Sequence, residues 1–336
     1  MEELLRVEDL HTYFYGSDAV VKAVNGVSFS VKKGETFGLV GESGCGKTAT
    51  CRSISRLINP PGKIVSGHIH YNGTDVLALG DEAMRKLRGS QIGMIFQEPM
   101  TSLNPVVPIR TQIFESLPAD MPNAQKRARA IELLKLVGIP SPEARLGAYI
   151  HEFSGGMRQR AMIAIALASQ PRLLLADEPT TALDVTIQNQ IMLLLSDLKD
   201  RLGMSMILVT HDLGVVSQMC DNVAVMYAGH IVEICDTVRL FLSPRHPYTY
   251  GLLCSLPREN QKALVPINGA PPDLATEAKG CPFAPRCQFR GPGCEEALPE
   301  LKEIEPGHSV RCRYWEKLVG LSGLEPKPIG EVTGRG

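Results

Sequence analysis

One run of eight residues, Gly41-Glu42-Ser43-Gly44-Cys45-Gly46-Lys47-Thr48, combines the residue types and the spacing that grip a polyphosphate. Its glycines let backbone N–H groups turn inward, Lys47 can reach the outer phosphates and the Thr48 hydroxyl can ligand Mg2+. A helix starting at the end of the run adds a field that favours an anion. A plain Gly-rich turn is the competing reading. The flanks decide against it: the apolar Phe37–Val40 reads as a strand before the run, and Thr48–Leu57 can be a helix after it.

Further along are groups that could complete a hydrolytic site. Asp177 and Glu178 close the apolar run Leu173–Ala176. A carboxylate at such a strand end can hold Mg2+, and the next one can polarise an attacking water, so Asp177 is expected to position the metal and Glu178 to activate water. Gln97 and His211 each follow a short buried run and could reach the terminal phosphate or that water; in isolation either would read as a local hydrogen-bonding residue. Ser154-Gly155-Gly156 precedes a helical stretch and could offer N–H groups to a second phosphate. Because one loop already holds the nucleotide, that phosphate could belong to a partner subunit. The third signal is Cys281-x5-Cys287-x6-Cys294-x17-Cys312, four of the nine cysteines in the chain. Four thiolates so spaced suit an iron–sulfur cluster or tetrahedral zinc, and unligated thiols or disulfides stay open on spacing alone. The other five, Cys45, Cys51, Cys220, Cys235 and Cys254, read as core or incidental thiols.

The elements that must position these groups are legible in outline. Leu4–Asp9 and Val27–Val31 read as strands, with Lys32-Lys33-Gly34-Glu35 turning into the strand before the phosphate loop. Gly67–Gly73 reads as an alternating strand and turn, and Ile92–Phe96 as a short strand. From about Ile109 to His151 the texture is helical; in Ala124–Val137, Ile131, Leu134 and Val137 can share a face. Met157–Ser169 is a helix with Ser154 as a cap. Leu173–Asp177 has the near-continuous hydrophobicity of a doubly covered parallel strand. Ile187–Leu202 then reads as a helix, Ser205–Thr210 as a strand, and Val223–Tyr227 with His230–Glu233 as a hairpin around Gly229. Beyond Ser243-Pro244, proline and glycine are dense and little core material is expected.

Composition bounds the class. The 336 residues suit one large domain and an appendage. A formal net charge of -1 leaves no basic footprint for nucleic acid. Residues 1–9 do not resemble a secretory leader, and no apolar run approaches the ~20 residues of a spanning helix, so a soluble or peripheral protein on the nucleotide-bearing side of a membrane is expected.

In this order the motifs resemble those of the ATP-binding subunits of ABC transporters. Gly41–Thr48 matches the Walker A loop, Gln97 the Q-loop and Phe153–Gln159 the signature motif. Leu173–Asp177 matches Walker B with Glu178 as catalytic carboxylate, Ala182-Leu183-Asp184 the D-loop, and His211 the switch histidine. Phe153 stands where the family has Leu, and Thr48 where Ser is common. The resemblance implies an α/β P-loop ATPase core over 1–242 with an inserted helical subdomain at about 105–170. A small irregular cysteine-containing extension would occupy 243–320, and a tail 321–336. It implies catalysis by Glu178, His211, Gln97 and Lys47. Nucleotide contacts would come from Phe14, Gly41, Glu42, Ser43, Gly44, Cys45, Gly46, Lys47, Thr48, Thr50, Gln97, Asp177 and Asp184, with Ser154 and Gly156 serving the partner's ATP. Thr48, Gln97 and Asp177 would serve Mg2+. The base-stacking aromatic falls at Phe14 or Tyr13, with Phe14 favoured.

Ser243–Thr249 and Gly280–Cys287 are similar to the C-terminal region of oligopeptide/dipeptide importer ATPases. That branch implies a [4Fe-4S] cluster on Cys281, Cys287, Cys294 and Cys312, with Zn2+ as the alternative. It also implies a second, paralogous ATPase, two transmembrane permease subunits that hold the chain at the cytoplasmic face of the cell membrane, and an extracytoplasmic peptide-binding protein. Dipeptides or oligopeptides are the implied substrates, with nickel or another small solute as alternatives. A soluble ABC protein of translation or repair would carry two motif sets or a long heptad tract, and this chain has one set. A non-catalytic subunit would be expected to lack Lys47 or Glu178.

Overall fold

A computed structural model of the chain describes residues 2–257, 266–276 and 278–323. The expected tail at 321–336 lies almost wholly outside them. The chain divides into two compact units, one from Met1–Leu4, Val31–Thr36 and Asp75–Val209, the other from Leu5–Ser30, Phe37–Thr74 and Thr210 onward.

In the first unit, strands Ile92–Ile95, Leu173–Asp177 and Ser205–Thr210 run parallel, in register from Ile92↔Leu173 and from Leu173↔Ser205. Every residue of Leu173–Asp177 is buried, as its unbroken apolar run requires of a strand covered on both faces. The helix Gly155–Leu167 buries seven residues from Gln159 to Leu167. Ser154 caps it, its Oγ accepting the Met157 N–H at 3.4 Å, so the helix starts two residues before the expected Met157. Asp184 caps Val185–Leu202 in the same way, accepting from Ile187 N–H at 3.0 Å. Between these elements lie the helices Ile109–Glu115, Asn123–Leu136 and Pro142–Arg145. The buried face of the second is Ala130, Leu133 and Leu134; Leu133 takes the place expected for Ile131, which is only half-buried.

In the second unit, Glu3–Tyr15 lies between Val20–Lys32 and Gly62–Tyr71. Both early strands are longer than their apolar runs suggest, because edge aromatics and polar residues also join the ladder. The Thr36–Val40 strand pairs in parallel with Asn222–Tyr227 (Phe37↔Asn222 to Val40↔Val225), which turns antiparallel into His230–Asp236. The C-terminal region is more ordered than its proline and glycine content suggested. His308–Val310 pairs with His230–Asp236 and Lys302–Glu305 pairs with His308–Val310, extending the sheet by two strands. The helix Pro247–Cys254 supplies Tyr250 and Cys254 to a small core with Phe289 and Leu318, against which Cys287 packs. Among the described residues, no helix is long and apolar enough to cross a membrane.

Candidate nucleotide site and cysteine centre

The phosphate loop leaves the buried Thr36–Val40 strand and ends in the helix Lys47–Ile54. Two of its glycines are enforced by close approach. A Cβ on Gly41 would stand 2.2 Å from the Met226 carbonyl, and one on Gly46, where φ is 109°, 2.1 Å from the Ala23 carbonyl. Gly44 differs: φ is +78° and a Cβ there would meet nothing within 4 Å, so this side of the loop is an open cradle that a side chain would fill. Lys47 Nζ donates to the carbonyls of Gly41 at 2.8 Å and Glu42 at 2.9 Å, which holds a nearly buried cation on the loop. Open cradle, helix start and cation together form a donor set that fits a polyphosphate.

Three residues in or beside the loop are held by the protein itself. Thr50, expected among the nucleotide contacts, is fully buried and donates to Gly46 O at 3.0 Å, so it braces the loop from within the helix. The Cys45 thiol is pushed up by burial, partly offset by Lys47, and stays protonated. Glu42 is held on both backbone and side chain. Its N–H donates to Tyr248 Oη at 2.9 Å, and its carboxylate takes two bonds from Arg286, at 2.8 and 3.1 Å.

The candidate base-stacking aromatics differ in freedom. The Phe14 ring lies against Gly62, where a Cβ would meet it at 2.6 Å. Tyr13 donates its hydroxyl to Asn25 Oδ1, whereas Tyr15 is 45% exposed.

In the first unit the catalytic candidates do meet. Gln97 Nε2 donates to Glu178 Oε2 at 3.2 Å, and Thr181 Oγ1 donates to the same oxygen at 3.0 Å. Glu178 N–H is tied to Val209 O at 3.0 Å while the residue sits at φ 45°. A non-glycine residue in the left-handed region costs about 1 kcal/mol or more, so the surrounding structure over-determines this carboxylate's direction. Asp177, just before it, is fully buried at the strand end.

Ser154 and Gly155 are exposed at the start of their helix, and Gly156 lies where a Cβ would approach Ile187 Cγ2 to 3.0 Å. Phe153 is buried, its ring beneath the Arg145 guanidinium, which explains how an aromatic is accommodated there. Replacing Ser154 with Ala should remove the cap at a cost of about 1 kcal/mol. Urea unfolding would register it, and a cost near zero would mean the cap is idle. Asp184 is exposed. His211 is exposed immediately after Thr210 and belongs to the second unit with the phosphate loop.

Cys45, Cys51, Cys220, Cys235 and Cys254 are buried, as expected of core thiols, whereas Cys281, Cys287, Cys294 and Cys312 are half-buried. Three of these four are shifted by burial and by their neighbours. Burial first, then Cys287, Cys281 and Cys294, pushes Cys312 up to about 12, and burial with Cys281 and Cys294 pushes Cys287 up to about 11. The Cys281 N–H donates to the Cys294 carbonyl at 2.7 Å. A single tetrahedral zinc, with Zn–S of about 2.3 Å, draws its sulfurs to about 3.8 Å from one another. Among the described residues, no three of these thiols lie within 4.8 Å of one another. Four half-buried thiols in one extension form a soft donor set that fits a metal centre.

A compact set that does meet that distance was invisible in the sequence: Glu233, Cys235 and His308, all buried. Its carboxylate is already saturated, accepting from the N–H groups of Arg245 (2.7 Å) and His246 (2.9 Å), with His308 Nε2 at 2.8 Å. Burial pushes the Cys235 thiol well up, and the group reads as a polar peg between strand and helix. His246 beside it is driven down to about 4 by burial, so at neutral pH its uncharged ring accepts the Tyr248 N–H and caps that helix.

Comparison with known proteins agrees with this geometry. Residues 24–181 match the family described as ABC transporter, and residues 232–294 match the oligopeptide/dipeptide transporter C-terminal region. A probable peptide ABC transporter ATP-binding protein of Sinorhizobium fredii is 50% identical over 95% of this chain and 97% of its own length. The dipeptide transport ATP-binding protein DppD of Bacillus subtilis is 49% identical over 93% and 95%. An ATP-binding cassette solved as a dimer in a post-hydrolysis state with ADP and Pi superposes with a TM-score of 0.62 at 26% identity, covering 70% of this chain and 99% of that one. CbiO1 of Clostridium perfringens, part of an ABC transporter complex, gives 0.61 at 30% identity, covering 72% and 91%.

Proposed function

The chain belongs to the ATP-binding subunits of ABC transporters, in the group that matches peptide import systems, and from that premise we propose that it powers uptake of dipeptides or oligopeptides. It is an ATP-hydrolysing subunit. It works paired head to tail with a second, paralogous ATPase, each ATP lying between one phosphate loop and the other subunit's Ser154-type helix start. The observation that carries this reading is the exposed Ser154–Gly155 terminus of a well-formed helix, a phosphate-binding element open to solvent. In this arrangement Gly41–Thr48 holds the polyphosphate of the bound nucleotide. Thr48, Gln97 and Asp177 would hold Mg2+, which when bound would neutralise developing charge on the phosphates. Glu178, aimed by Thr181 and Gln97, takes a proton from the attacking water, and His211 steadies the terminal phosphate. Phe14 or Tyr13 stacks on the base, and Tyr15, which is 45% exposed, is a further candidate.

Two permease subunits hold the chain at the cytoplasmic face of the membrane, docking near Gln97–Pro105. Met100 in this segment and Val106 just after it are 49% and 79% exposed, which supports a docking role. The division into a 1–242 ATPase domain, a helical subdomain at about 105–170 and a 243–320 extension belongs to the same proposal. The test is ATP turnover in the assembled transporter, with the cognate extracytoplasmic binding protein loaded in turn with dipeptides, longer peptides and nickel chelates. Stimulation by a peptide-loaded protein supports the reading. Stimulation by nickel chelates alone would move the substrate, and none by any would remove the transport role.

The cysteine centre is read as a structural [4Fe-4S] cluster on Cys281, Cys287, Cys294 and Cys312, with Zn2+ as the less favoured occupant. Anaerobically purified protein should carry iron, sulfide and visible absorption, all lost when Cys287 and Cys312 are both replaced by Ser. Protein with zinc and no iron, or with neither, would refute the cluster.

A further inference from the structure

We propose that Arg286 is a positioning residue for the phosphate loop, through which the state of the cysteine centre sets the affinity for nucleotide. The link is short. Arg286 is the last residue of the single turn Ala284–Arg286 and directly precedes Cys287. That turn is held by Ala284 N–H to Cys281 O (2.9 Å), Arg286 N–H to Phe283 O (3.0 Å) and Cys287 N–H to Ala284 O (3.2 Å). Two of the four cysteines therefore bracket the residue, and any shift of their sulfurs moves it.

At its other end the Arg286 side chain, 6% exposed, grips the Glu42 carboxylate with two parallel bonds. Its remaining contacts hold it in one pose: Nε donates to Asn268 O at 3.0 Å and Nη1 to the Tyr227 hydroxyl at 3.3 Å, over the rings of Tyr227 and Phe283. A nearly buried, bidentate pair of this kind is strongly directional, and losing one partner leaves the other charge uncompensated. Tyr248, which accepts the Glu42 N–H, packs against Tyr227 and Phe283 with ring centroids 4.6 and 5.4 Å away. Phe283 itself comes from the Cys281–Cys287 stretch.

Glu42 is thus fixed from behind by the cysteine-bearing extension, and its carbonyl in turn receives the Lys47 ammonium. A loop held in its binding shape gives up less freedom when nucleotide arrives, so releasing the clamp weakens binding. None of the Walker-type motifs contains Arg286, and it contacts the loop from 244 positions away.

The inference rests on the cysteines holding a metal centre, and the experiment separates the two ideas. The full chain is purified anaerobically, and a fluorescent ATP analogue is titrated with Mg2+ into the wild type, Arg286→Met and Arg286→Lys. Each is assayed before and after removal of the metal by ferricyanide and chelator, with metal content measured in every sample. Stripping the metal should weaken wild-type binding roughly tenfold. Arg286→Met should start at that weak affinity with its metal retained and not respond further; Arg286→Lys, lacking the fork, should recover only part of it. Wild-type affinity unmoved by stripping, or Arg286→Met binding like wild type, would overturn the proposal. If the anaerobic protein holds no metal, the reading of the cysteines fails, and Arg286→Met alone decides whether the clamp exists. Should Arg286→Met lose its metal or its fold, Glu42→Gln, which leaves the extension intact, replaces it: weak binding at full metal content upholds the clamp and wild-type binding refutes it.

Discussion

Glu178→Gln should bind ATP as well as the wild type and hydrolyse it about 10²–10⁴-fold more slowly, the contribution expected of a positioned general base. The substitution is nearly isosteric. The amide oxygen can still accept from Thr181 Oγ1 and Gln97 Nε2, which both point at Glu178 Oε2 in the native site. What disappears is the charge that takes a proton from water. Nucleotide should therefore stay trapped in a closed pair of subunits, seen as ATP retained on the assembled transporter with little phosphate released. Unchanged turnover would remove Glu178 from the mechanism. A companion variant tests whether its backbone is strained for this task. Glycine has no penalty at φ 45°, so Glu178→Gly should raise stability by about 1 kcal/mol while abolishing turnover. Opposite signs for stability and activity at one position are the signature of strain held for function.

The second large effect is expected at Gly46. Its would-be Cβ meets a backbone carbonyl, Ala23 O, at 2.1 Å, and φ of 109° lies outside the small left-handed basin open to L-residues. A flexible side chain could yield, but a strand carbonyl cannot, so Gly46→Ala must move the loop. ATP affinity should fall by at least about a hundredfold, and unfolding should show a loss of about 1–3 kcal/mol. Gly44→Ala is the control. At φ 78°, with nothing within 4 Å of the new methyl, it carries only local strain of about 1–2 kcal/mol, yet places the methyl in the open cradle. It should lose nucleotide binding while its unfolding shifts by no more than that local strain. Gly46→Ala binding ATP like the wild type would refute the account of the loop.

Reading from residues reached furthest where the physics is local. The Leu173–Asp177 and Ser205–Thr210 strands coincide with their apolar runs, because a strand covered on both faces is apolar through its interior, with polar residues only at its ends. The cap at Ser154 follows from a short side chain that satisfies a first N–H group of its helix. The Asp184 cap, which starts its helix at Val185 rather than the expected Ile187, was not read. The phosphate loop was legible because only glycine survives at positions 41 and 46. The long edges of Glu3–Tyr15 and the Lys302–Glu305/His308–Val310 hairpin were not, since polar, half-exposed strands lack a periodic apolar signal.

By itself, then, the sequence named the candidate groups: a polyphosphate loop, a carboxylate after a buried strand, a second exposed helix start and four thiols. Tertiary structure decided how these groups are held. Gln97 and Glu178 meet across 81 positions, Glu233 and His308 across 75, and Arg286 and Glu42 across 244. Such pairings depend on which strands become neighbours and in what register, and a one-residue slip would undo them. No local pattern encodes that register. It emerges when the buried strands find the one arrangement that covers their apolar faces, and the side chains between them are then brought within bonding distance.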